Sequence, residues 1–159
     1  MSGLEDRFVA SDRGALPPLE RIDRMRSRSW ALQILYRWES EAGDVDLEQA
    51  MLNTFRARRV SKRRMPIVRN HIRRVSDNLV ELDEVLSGAV DNWRLDRLSR
   101  IDRSILRLSA SEILFDEETP PRVSIKEGIR LAGQYGGPSS PRFVNGVLDA
   151  VLRRSSRSS

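Results

Sequence analysis

The sequence contains no cysteine in its 159 residues, which excludes disulfides and thiolate metal sites and leaves folding to packing alone. Its single histidine, His71, cannot make a metal cluster by itself. Glycine-rich phosphate loops are missing too: neither GxGxxG nor GxxxxGK[ST] occurs, and no strand-like stretch precedes a glycine cluster. No apolar run approaches the roughly 18 residues of a membrane span, and the N-terminal segment lacks the apolar stretch of a secretory signal. A soluble, cytoplasmic protein with no membrane association is expected. Catalytic constellations are equally scarce. A nucleophile with a positioned base would need a serine plus His71, but His71 falls on the flank of a helical pattern beside a basic run and reads as structural or solvated. The neighbours Asp83 and Glu84 point in different directions on a helix. The expectation is a protein that is not an enzyme, with no catalytic residue, no cofactor and no metal.

What the sequence has is charge in blocks. The formal net charge is +5 and the isoelectric point is near 10.5, which favours a polyanionic partner. Residues 24 to 37 carry four arginines and no acid, residues 56 to 74 carry nine basic residues and no acid, and residues 76 to 92 carry five acids and no base. Such segregation suggests faces with different partners. Lys62 and Lys126 are the only lysines, an imbalance that base composition alone can produce.

The apolar spacing is helical throughout and predicts an all-α fold, one compact domain of about seven helical segments over residues 24–154. Residues 1–23, with Gly14, Pro17 and Pro18, read as a flexible leader, and residues 155–159 as a disordered tail. Ala31, Ile34, Leu35 and Trp38 form the buried stripe of a first helix over 24–41, stopped by Gly43. Asp46 with Gln49 caps a second, burying Leu47, Met51 and Phe55. Val68, Ile72, Val75, Leu79, Leu82 and Leu86 predict one long helix from Met65 to about Gly88, with Pro66 in its first turn. Asn92, Trp93 and Leu95 form a connecting turn. Ser99 and Asp102 then cap a helix over 100–116 that is apolar around most of its axis, which predicts the central helix. Ser124 and Glu127 read as a capping box after Pro120 and Pro121. Gly136 and Gly137 end that helix, and Ser140 and Pro141 open the last.

Two places carry candidate chemistry. On the first helix Arg26, Trp30, Gln33 and Arg37 share the face opposite the core stripe, with Ser29 and Tyr36 beside them. Guanidinium groups pair with phosphate and rings stack on unpaired bases, so this face suits RNA; a solvated face with Trp30 packed on a neighbour has the same spacing. The arginines of Arg56 to Arg74 point all round their helices and read first as a solvated basic surface. At the junction before the last helix, Ser139 and Arg142 lie in a first turn whose free N–H groups can hold a phosphate, and Asn145 lies one turn on. Spacing alone equally supports a serine N-cap that serves only the helix.

The segments Arg28-Ser-Trp-Ala-Leu-Gln-Ile-Leu-Tyr36, Asp102-Arg-Ser-Ile-Leu-Arg107 with Glu112, Val123-Ser-Ile-Lys-Glu-Gly-Ile-Arg-Leu-Ala132 with Tyr135-Gly136, and Phe143-Val-Asn-Gly-Val-Leu-Asp149 resemble, in order and spacing, the NusB family. The resemblance covers roughly residues 24 to 152. Lys126 departs from the family's usual Asn, and Pro138 and Pro141 stiffen a loop that usually varies. The resemblance implies a non-catalytic transcription antitermination factor that binds the boxA element of nascent ribosomal RNA together with the ribosomal protein NusE and acts on elongating RNA polymerase. It implies RNA contacts from Arg24, Arg26 and Arg28 and from the Ser139 to Asn145 region, with Tyr36 and Asp102 facing NusE. Two rivals remain open. The same helical domain assists ribosomal RNA cytosine methyltransferases, although no Rossmann-like segment or catalytic cysteine follows it in this sequence. A homodimer without an RNA role is the other.

Overall fold

A computed structural model describes residues 18–41, 44–90 and 94–157. Among them are seven α-helices: α1 (Pro18–Ser40), α2 (Leu47–Ala57), α3 (Met65–Asp77), α4 (Leu79–Ala89), α5 (Arg100–Phe115), α6 (Pro121–Tyr135) and α7 (Ser140–Arg157), with a 3-10 turn at Leu95–Arg97. The all-α expectation holds among the described residues.

Helix α5 is the hub, as its wide apolar surface predicts. It packs on α1 and α3 on one side and on α4, α6 and α7 on the other, while α2 closes the α1–α3 corner. Ile105, Leu106, Leu108 and Ala110 of α5 meet Ile34 and Leu35 of α1, Val68 and Ile72 of α3, Leu82 and Leu86 of α4, and Leu131, Val144 and Leu148 in one buried cluster. Close approach has a visible cause at Gly128 on α6, where a Cβ would stand 2.7 Å from Ser109 Oγ and 2.9 Å from Leu148 Cδ1. Only a residue without a side chain lets α6 lie this near α5 and α7.

Four boundaries differ from expectation. Helix α1 begins at Pro18, so residues 18–23 are helical: Pro18 suits a first turn, and Asp23 is anchored by Arg63 at 2.9 Å and Arg64 at 2.8 Å. The seam from Val68 to Leu86 is two helices, because Asn78 leaves the helical region (φ −123°, ψ 18°) and its Nδ2 donates to the Arg74 carbonyl at 2.8 Å. Ser124 lies inside α6, which starts at Pro121. Helix α7 continues to Arg157, through most of the expected tail. The expectations for Gly43, for Asn92 and Trp93, and for the rest of the leader lie outside the described residues. By contrast Asp46 accepts from the Gln49 N–H at 2.8 Å and Ser99 from the Asp102 N–H at 3.2 Å, as their spacing predicts.

Candidate nucleic-acid interface

The outer face of α1 forms one wall of a cleft of about 440 Å³, lined by Arg26, Ser29, Trp30 and Gln33, with Arg130, Gln134 and Tyr135 of α6 opposite and Arg59 and Arg64 at one side. Four arginines and no carboxylate line it. Arg64 is paired with Asp23 and Arg130 with Glu127 at 2.7 Å. Arg26 and Arg59 are exposed and have no ion pair among the described residues, so they are the guanidiniums available to a ligand. Trp30 is half-buried against the core, which combines the two readings of its spacing: one part packs and the rest lines the cleft. Arg24 stays outside it, with Nη2 3.5 Å from Glu20.

Gln33 also borders a neighbouring, more apolar cleft of about 670 Å³. Tyr36, 43% exposed, Tyr135, Arg58 and Arg100 line it as well. Arg58, Arg59, Arg130 and Tyr135 were not singled out by spacing. Arg58 and Arg59 sit in a run that points in all directions, Arg130 lies on α6, and no pattern in the sequence tells which of them turns toward α1.

A third cleft, of about 370 Å³, joins the start of α5 to the start of α7 and is lined by Arg97, Leu98, Ser99, Asp102, Ser139, Arg142 and Phe143. It brings Asp102, expected to face a protein, together with Ser139 and Arg142, expected to face RNA. Asn145 is exposed on α7 but does not line this cleft. Ser140, not Ser139, is the buried serine of the junction, and its Oγ accepts from the Gly137 N–H at 3.0 Å.

Arg28 corrects the expectation most clearly. It is 5% exposed, and its Nε and Nη2 donate to the two carboxylate oxygens of Glu112 at 2.8 and 3.0 Å. Ser124 Oγ donates to Glu112 Oε2 at 2.9 Å. Arg28 therefore faces the interior and cannot serve RNA from the surface. Burial opposes ionisation of Glu112, yet the Arg28 fork and Ser124 outweigh it and hold the carboxyl below its usual range. Burial likewise works against the charge on Arg28, and Glu112 more than restores it. His71 adjoins the pair, 3.6 Å from Glu112 Oε1; burial above all pulls its pKa down to about 4, so it is neutral near pH 7 and forms no ion pair. Among the described residues no group of His, Asp or Glu is arranged to hold a metal ion, and no helix is long and apolar enough to cross a membrane.

The chain matches the NusB family over residues 25–153. It is 35% identical to the transcription antitermination protein NusB of Methylacidiphilum infernorum over 86% of this chain and 94% of that protein, and 38% identical to that of Salinibacter ruber over 81% and 80%. The structure of T. maritima NusB superposes with a TM-score of 0.74 at 35% identity, covering 82% of this chain and 90% of that one. A chain from a crystal structure of antitermination factors NusB and NusE in complex with double-stranded RNA shares the fold, with a TM-score of 0.73 at 22% identity over 83% and 97%. The helices, the quoted motifs and these relatives agree, and the chain belongs to the NusB family.

Proposed function

We propose that this protein is a non-catalytic antitermination factor whose 24–154 unit binds boxA of nascent ribosomal RNA together with NusE and acts on the elongating RNA polymerase complex from the cytoplasm. The observation that carries the reading is the α1–α6 cleft: cationic, free of carboxylates, and edged by Trp30 and Tyr135. Phosphates would take Arg26 and Arg59, and unpaired bases would stack on the aromatic edges. The cleft at Ser139 and Arg142 adds a second phosphate site at the start of α7, and the adjoining Asp102 and Tyr36 surfaces receive NusE. Relatives named as antitermination proteins, and a protein of the same fold assembled with NusE on RNA, support it.

The test is titration of labelled single-stranded boxA RNA across a salt series, with and without NusE. Three or four neutralised phosphates give a log-log slope near about −2 to −3, from about −0.7 per contact on a single strand. The double variant Arg26→Ala/Arg59→Ala brings the slope toward zero by about 1.4. An unchanged slope in the folded variant places the RNA on another face.

A further inference from the structure

The two walls of the α1–α6 cleft share almost no direct backbone packing; each rests on α5. One buried carboxylate of α5 bonds to both of these helices. Glu112, 1% exposed, accepts the Arg28 fork from α1 through both oxygens and the Ser124 hydroxyl from α6 on Oε2. On the rim, among the described residues, a weaker link from Arg130 Nη2 to the Met25 carbonyl at 3.4 Å also joins α6 to α1. We infer that Glu112, with Arg28 and Ser124, is a positioning device that sets the width of the cleft, and hence the spacing between Arg26, Trp30 and Gln33 on one wall and Gln134 and Tyr135 on the other.

The physical reasons are geometric and energetic. A bidentate guanidinium–carboxylate pair fixes both distance and rotation, which a single hydrogen bond does not. Because the pair is buried, losing one partner strands a charge, so the arrangement has no neighbouring state of similar energy. Arg28 sits one turn from Met25 and two residues from Arg26 and Trp30, so rotation of α1 about this anchor would carry the RNA-facing side chains with it. The part concerned with RNA rests on the function proposed above; the part concerned with cleft width does not.

The absence of cysteine makes the test direct. Cysteines placed at Gln33 and Gln134, exposed residues on the two walls, take a pair of spin labels whose distance distribution reports the width of the cleft. Two mild variants are read in that background: Ser124→Ala, which frees α6 and leaves the ion pair, and Arg28→Lys, which keeps the charge and loses the fork. Both should fold, and both should broaden the distribution. In the unlabelled protein each should weaken boxA RNA binding by about three- to tenfold, the effect of roughly one lost hydrogen bond, with the salt slope unchanged because no phosphate contact is removed. Unaltered distances in both folded variants overturn the inference. A flatter slope in Arg28→Lys would also overturn it by making Arg28 a phosphate ligand, and broadened distances with wild-type RNA affinity would overturn its functional half. If the unsubstituted protein binds no RNA, the proposed function fails while the label distances still decide this point.

Discussion

Arg74 Nη1 lies 3.1 Å from His71 Nδ1; a guanidinium can only donate, so the neutral tautomer with its proton on Nε2 makes this contact a hydrogen bond. Arg74 also reaches Asp116 at 3.5 Å, and Asp116 in turn accepts from Thr119 Oγ1 at 2.7 Å and from the Glu118 N–H at 3.0 Å in the α5–α6 turn. A ring on α3 is thus tied to the turn that launches α6.

This arrangement predicts a pH dependence. Burial first of all, with Arg28 and Arg74 adding to it and Glu112 and Asp116 opposing it, brings the His71 pKa from 6.5 down to about 4. Between those values the unfolded chain binds a proton that the folded chain refuses. Stability is full above pH 6.5 and falls as pH drops toward 4, by on the order of 3 kcal/mol. Glu112 and Asp116, with ordinary values of 4.5 and 3.8 and lowered in the fold, lose their contributions lower on the scale. Urea unfolding midpoints between pH 7 and 5 should therefore fall in the wild type and stay nearly level in His71→Gln, whose amide oxygen still accepts from Arg74. Equal slopes would clear His71 of the effect.

Gly128→Ala should cost about 1 to 3 kcal/mol, the range for overpacking a filled core, because its methyl would meet Ser109 Oγ and Leu148 Cδ1 inside contact distance. Adding Ser109→Gly should recover part of the loss, since it removes one of the two obstructing groups. A thermal midpoint equal to wild type in Gly128→Ala would mean that α6 can move away from α5 at little cost.

Asp102 shares a cleft with Arg142 and Ser139, so its substitution should be felt by RNA as well as by a protein partner. Asp102→Arg is expected to weaken NusE binding and, in the isolated chain, to tighten boxA binding at low salt while steepening its salt slope by about 0.7. Calorimetry with NusE and the salt-series titration read the two effects separately. RNA binding that ignores the new arginine would put the third cleft outside the RNA path.

Much of the fold is legible because the buried stripes keep a helical period: Ala31, Ile34 and Leu35, and Leu47 and Met51, lie in the core as their spacing requires. Spacing was misleading where a polar group served tertiary structure. The apolar steps run unbroken from Val75 to Leu82, so the break at Asn78 is signalled only by that residue's own taste for helix ends. Ser124 has the spacing of a cap, yet Pro121 already supplies a first turn and the hydroxyl is needed by Glu112. For Arg28 a signal did exist. It stands three residues before Ala31 and seven before Leu35, on the core stripe, just as Glu112 stands four after Leu108. Opposite charges on two core stripes require each other. Which surface arginines border the α1–α6 cleft, by contrast, depends on how three separate segments meet, and no local pattern encodes that.

The separation of 84 residues between Arg28 and Glu112 also has a consequence for synthesis on the ribosome. At roughly 5 to 20 residues per second, the first helix would wait about 4 to 17 seconds for its counter-ion to be made. During that interval Ala31, Ile34 and Leu35 lack the α5 surface that covers them, and the Arg28 guanidinium must stay hydrated. The buried pair that ties α1 to α5 therefore cannot form until Glu112 has been made, so this part of the core closes late in synthesis.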